Sequence, residues 1–199
     1  MDFNDITTRL KRIYSSIDAR FDYDIDKHIN IEKESTPTQK SIKVSFDKQT
    51  NESDALNKIV TVIDNLAKLK DHLKNRLSTN GGNPQVIENE INASFHLSIV
   101  LDLSNQDKHG YPLGRKKRSH KNPRIENVES AMQLTSSQGQ WSYFTMDPIT
   151  GEYKTQGDCK VAIMADIVDD QGNKLMKIDE LINGTLAQWE RIIKKYNIT

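Results

Sequence analysis

Asp102, Asn105 and His109 stand at i, i+3 and i+7, so a helix running through them carries all three on one face within two turns. Lys108 adjoins the last of them. A carboxylate beside an imidazole raises the pKa of the ring and makes it an acid–base group, while a lysine or arginine nearby can meet a phosphate. The chemistry this set could perform is binding or cleavage of a phosphodiester, with His109 as general acid–base and Asp102 orienting it. The same residues also read as ordinary helix-ending chemistry, because Lys108 and His109 complement the dipole of a last turn that Gly110 would close. Ile99, Val100, Leu101 and Leu103 set part of the stripe against a core, where the Asp102 carboxylate needs a donor. Lys108, His109 or a basic side chain from the following segment are the candidates.

That following segment, RKKRSHKNPR, holds Arg115, Lys116, Lys117, Arg118, Lys121 and Arg124 without an acid. The whole chain balances 28 basic against 28 acidic residues, so setting these six aside leaves 22 against 28. The charge is segregated. A flexible basic loop neutralises several phosphates in a sequence-independent, salt-sensitive way. His120 adds a donor, and Trp141 and Tyr143 downstream could stack bases. A run of charge equally reads as a solvated loop, or as one that pairs with an acidic surface such as Asp22, Asp24 and Asp26. Its place directly after Lys108 and His109 favours a shared anionic ligand, which adds Lys108 to the six candidate nucleic-acid contacts.

These groups must be positioned by the elements around them. Phe3, Ile6, Leu10, Ile13 and Ile17 mark a first amphipathic helix, and Ile42, Val44 and Phe46 a short half-buried strand. From the N-cap Ser53, the spacing of Leu56, Ile59, Ile63, Leu66, Leu73 and Leu77 predicts a helix of about six turns, ended by Asn80 to Pro84. The next helix is expected to run unbroken from Gln85 through His109. Its apolar face is wide enough to be buried on more than one side, which suits a homodimer. Residues 110–137 read as a basic loop. Trp141, Tyr143 and Phe144, the turn DPITG, then Tyr153 and Thr155 predict a β-hairpin. Val161, Ile163, Ala165 and Ile167 give a further strand, and Ile178 to Tyr196 a terminal helix. The expectation is one α+β domain over 1–199: a bundle of about four helices with a small antiparallel sheet inserted before the C-terminal helix. The helical core covers about 1–20, 53–109 and 177–197, and the β region 138–176.

The run FHLSIVLDLSNQDKHG, preceded by LKDHLKNRL and followed by DIVDDQGNKL and LINGTLAQWERII, resembles a group of uncharacterised prokaryotic proteins. In that group an Asp-Leu-x-Asn-x-x-Lys-His signature ends a core helix. More distantly the arrangement is similar to HEPN-type helical bundles. Ribonuclease members of that family carry an arginine, a polar neighbour and, four to six residues beyond the arginine, a histidine. His109 matches the histidine, whereas Asp102, Leu103, Ser104 and Asn105 stand where the arginine would be. The resemblance therefore implies a non-catalytic HEPN-like domain, and the basic run from Arg115 to Arg124 with the His109 end adds the expectation that it binds RNA or another polyanion. A HEPN-type ribonuclease or toxin is the alternative, and a protein-interaction module such as an antitoxin-like or phage-associated partner a further one.

Several classes are excluded or disfavoured. The composition is polar, with a mean hydropathy of -0.70, yet its apolar residues are periodic, which argues against disorder. A single cysteine, Cys159, rules out a disulfide framework and reads as an inert thiol. His72 and His96 have no ligands at metal spacing, and Asn80 to Asn83 lacks the lysine of a phosphate-binding loop, so no metal or cofactor is expected. The N-terminus has no signal-peptide core and no long apolar run follows, which gives the expectation of a cytoplasmic protein without a membrane partner.

Overall fold

The structure, a computed structural model, describes residues 6–19, 29–35, 40–46, 48–114, 117–136, 138–147, 149 and 153–198. The elements in chain order are α1 (Ile6–Ala19), β1 (Ile29–Ser35), β2 (Lys40–Phe46), α2 (Lys48–Thr79), α3 (Gln85–Ala93) and α4 (Phe95–His109). They are followed by β3 (Arg124–Thr135), β4 (Tyr143–Met146), β5 (Tyr153–Gln156), β6 (Asp158–Val168), β7 (Lys174–Lys177) and α5 (Ile178–Lys195). This is an α+β fold, mostly helical, with a three-stranded antiparallel sheet before the C-terminal helix. Phe3 and the acidic residues Asp22, Asp24 and Asp26 lie outside the described residues.

The helix expected over 85–109 is two helices because Ser94 interrupts it. Ser94 adopts extended angles (φ −110°, ψ 120°), donates its N–H to the Ile91 carbonyl at 3.0 Å and accepts from Leu97 N on its hydroxyl at 3.4 Å. One residue thus ends α3 and starts α4. The break lets α4 enter the core directly: every residue from Leu97 to Ser104 is buried. The wide apolar face that suggested a homodimer is covered by the chain's own elements, with α2 and α5 packed against α4. Trp189 of α5 is fully buried and donates its indole N–H to the Leu66 carbonyl of α2 at 3.1 Å. His96 is a packing residue, its ring filling the space left by the absent side chain of Gly184 on α5.

The sheet has the order β3-β6-β7, all antiparallel. Ile163, Ala165 and Ile167 of β6 are buried and Met164 between them is exposed, so one face of the sheet meets the helices and the other meets solvent. The strand β3 corrects the expectation of a loop over 110–137. Glu126 pairs with Asp166 but Glu129 with Met164, so β3 carries one extra residue, a bulge in which Asn127 takes a positive φ of 53°. The bulge lets Ile125 and Val128, three apart, both pack on the core. That spacing breaks the alternation by which a strand is recognised. The expected hairpin forms as β4 and β5, which pair with each other and with no other described strand.

Candidate functional site at the end of helix α4

Asp102 has no exposed surface. Its Oδ1 accepts the main-chain N–H of Arg118 at 2.8 Å, and its Oδ2 accepts both the N–H and the hydroxyl of Ser119, at 2.8 and 2.6 Å. Burial makes an unpaired carboxylate very costly, so three donors on two oxygens is the arrangement that tolerates it. This corrects the expectation that Asp102 orients His109: the carboxylate is committed to the loop. His109 is exposed as the last residue of α4, and its side chain makes no hydrogen bond or ion pair with a described residue. Gly110 does end the helix as expected, at φ 83° with its N–H on the Gln106 carbonyl at 2.8 Å. Asn105 is half-buried and makes no side-chain hydrogen bond to a described residue.

Lys108 turns toward α2 and away from the loop. Its Nζ donates to the Ser104 hydroxyl at 3.1 Å and lies 4.0 Å from Asp64, and Ser104 in turn donates to Asp64 at 2.6 Å. The four residues of the expected constellation thus share one helix end but form no single site.

The basic segment is fixed where it is described. Leu113, Asn122 and Pro123 are buried, and the Lys121 carbonyl accepts the N–H of Asp170 from the β6–β7 turn at 3.0 Å. That turn is itself tied by Asp169, which accepts from the N–H groups of Gln171 and Asn173 at 3.0 and 2.8 Å. Burial pushes the Asp169 carboxyl up, but the Asn173 and Gln171 bonds outweigh it and the net shift is downward. With its amide turned to satisfy both neighbours, Asn122 donates to the Leu113 carbonyl at 3.0 Å and accepts from Lys117 at 3.2 Å. The expectation of a flexible loop is therefore corrected for residues 117–124.

Three of the six cations are also paired within the chain. Arg118 Nη1 lies 2.9 Å from Glu88 Oε2 and donates to Asn92 Oδ1 at 3.0 Å, both on α3. Lys117 stands 4.0 Å from Asp170, and Arg124 stands 3.1 Å from Glu126 with its guanidinium over the Tyr111 ring. Glu88 also accepts from Lys74 of α2 at 2.7 Å. Burial pushes the Glu88 carboxyl up, but the Lys74 hydrogen bond and then Arg118 bring it below its ordinary value. Lys121 and His120 are exposed, and Arg115 and Lys116 lie outside the described residues. Sequence reasoning missed Ser119, Glu88 and Asn92. Only Ser119 had a visible sign, a hydroxyl inside a basic run.

Among the described residues, no group of three or more His, Cys, Asp or Glu side chains could hold a metal ion, and no helix is long and apolar enough to cross a membrane. No family model, curated protein or solved structure matches the chain.

Proposed function

We propose that the protein is a non-catalytic binding module, HEPN-like in the Asn105-x-x-Lys108-His109 element that ends its core helix, and that it takes RNA or another polyanion on the segment from Arg115 to Arg124. The observation that carries this reading is the buried carboxylate of Asp102. An ion out of water costs several kcal/mol before its partners offset it, about as much as a single core substitution. Here the entire carboxylate is spent on holding the main chain of a basic segment. Segments held on a rigid scaffold in this way are where binding residues concentrate. His120 and Asn122 shape the turn of the segment, with φ of 58° and 45° in the left-handed region that histidine and asparagine enter more readily than other non-glycine residues. Ribonuclease chemistry is not part of the proposal, because Asp102 is committed to the loop and no arginine stands at the expected place before His109.

The test is incubation of the protein with mixed cellular RNA at low salt, read as a gel shift and as a fragment pattern. The wild type shifts intact RNA, His109→Ala shifts it equally, and the Arg115→Glu/Lys117→Glu double variant loses the shift. Fragmentation that vanishes in His109→Ala overturns the non-catalytic reading. Absence of any shift overturns the polyanion reading and favours the protein-interaction module. That second reading has its own support: Trp141, two residues before β4, is 77% exposed and Ile149, between β4 and β5, is 93% exposed, and large exposed side chains of this kind anchor protein interfaces.

A further inference from the structure

Glu88 sits between two cations that come from different parts of the fold. Its Oε1 takes Lys74 of α2 at 2.7 Å and its Oε2 takes Arg118 of the basic segment at 2.9 Å. A carboxylate bridged by a lysine and an arginine occupies the position, and uses the donors, that a phosphate would. The Glu88 and Arg118 side chains keep only 16% and 26% of their surface exposed, so the pair is less screened than a surface ion pair.

We propose that Glu88 is an internal competitor for the basic segment: its carboxylate holds Lys74 and Arg118 in an autoinhibitory contact, and a polyanion reaches those two cations only by displacing it. The proposal rests on the polyanion reading above. Asp102 makes the exchange local. Because it holds the main-chain N–H of Arg118, the guanidinium can leave Glu88 and Asn92 without the segment unfolding. An anion shifts this equilibrium only by binding the released cations better than Glu88 does. In the wild type the carboxylate keeps both cations, so RNA binds through exposed cations of the segment such as Lys121 and gains Lys74 and Arg118 only when the Glu88 charge is removed.

The experiment is fluorescence anisotropy with labelled poly(U) RNA over a series of salt concentrations. Glu88→Gln removes the competing charge and keeps the side-chain shape. It is expected to bind about tenfold tighter at about 50 mM salt, with a log–log salt slope steeper by about 1 to 2 as Lys74 and Arg118 join the contacts. Asp54→Asn makes the same change in net charge on α2, about 30 Å along the helix from Lys74, and is expected to stay within about twofold of wild type. The Glu88→Gln/Arg118→Gln variant loses the gain. A second measurement does not depend on the folding of the Glu88 variant: in the wild-type background, Arg118→Gln leaves RNA affinity unchanged, because that side chain is already masked, whereas Lys121→Gln weakens it. The proposal is overturned if Glu88→Gln binds no tighter than Asp54→Asn, if the gain survives loss of Arg118, or if Arg118→Gln weakens the wild type as much as Lys121→Gln does. If wild type and Glu88→Gln both ignore RNA, the function reading falls and takes this proposal with it.

Discussion

Ser119 donates its hydroxyl to Asp102 at 2.6 Å and its main-chain N–H to the same carboxylate at 2.8 Å, across seventeen residues of chain. Removing either partner has a different cost. Asp102→Ala leaves the N–H groups of Arg118 and Ser119 and one hydroxyl without their acceptor, and is expected to cost about 2–4 kcal/mol. Ser119→Ala removes only the hydroxyl and is expected to cost about 1 kcal/mol. Urea unfolding gives the two values, and trypsin should cut Asp102→Ala faster at the basic segment. A wild-type unfolding midpoint in Asp102→Ala would sink the clamp.

Why Asp102 was visible in the sequence and Ser119 hardly at all follows from the kind of group each offers. A carboxylate among Ile99, Val100, Leu101 and Leu103 announces a buried charge, and the expectation that it needs a donor holds. The donors are mostly main-chain N–H groups, which every residue but proline carries and no sequence pattern distinguishes. The paired cations were hidden for a different reason. Glu88 stands thirty residues before Arg118, and nothing local links them. Helices with one apolar stripe, such as α2 and α5, are legible because their 3.6-residue period survives over many turns. The strand β3 is not, because its bulge at Asn127 shifts the period, and the break at Ser94 is not, because an apolar face continues on both sides of it.

The two tryptophans report opposite environments. Trp189 is fully buried and hydrogen-bonded to Leu66, while Trp141 is 77% exposed. Trp189→Phe leaves a cavity and an unmatched contact, and is expected to cost about 1–3 kcal/mol. Its remaining emission, from Trp141 alone, should be red-shifted and fully open to acrylamide. Trp141→Phe should leave stability within about 0.5 kcal/mol and remove that quenchable component. Equal quenching of the two single-tryptophan variants would contradict the assignment.

Acid should loosen the joint between α3 and the end of α5. Glu90 of α3 is buried, and it accepts from Lys195 and from Tyr196 at 2.9 Å on one oxygen and from Arg191 at 2.7 Å on the other. The Lys195 hydrogen bond, and after it the Tyr196 hydroxyl, hold the carboxyl below its ordinary value of 4.5 against the upward push of burial. A carboxyl whose pKa is lower folded than unfolded binds fewer protons in the folded state, so it contributes stability above the unfolded value. That contribution is whole above pH 4.5 and fades as the pH falls through the lowered value. Glu90→Gln removes the charge but not the shape, and should be less stable by about 1–2 kcal/mol near neutral pH. Urea midpoints of the two proteins should then converge as the pH falls below 4.5 and through the lowered folded-state value. A gap as wide in acid as at neutral pH would mean that Glu90 holds the joint by packing and neutral hydrogen bonds, and that its charge adds nothing.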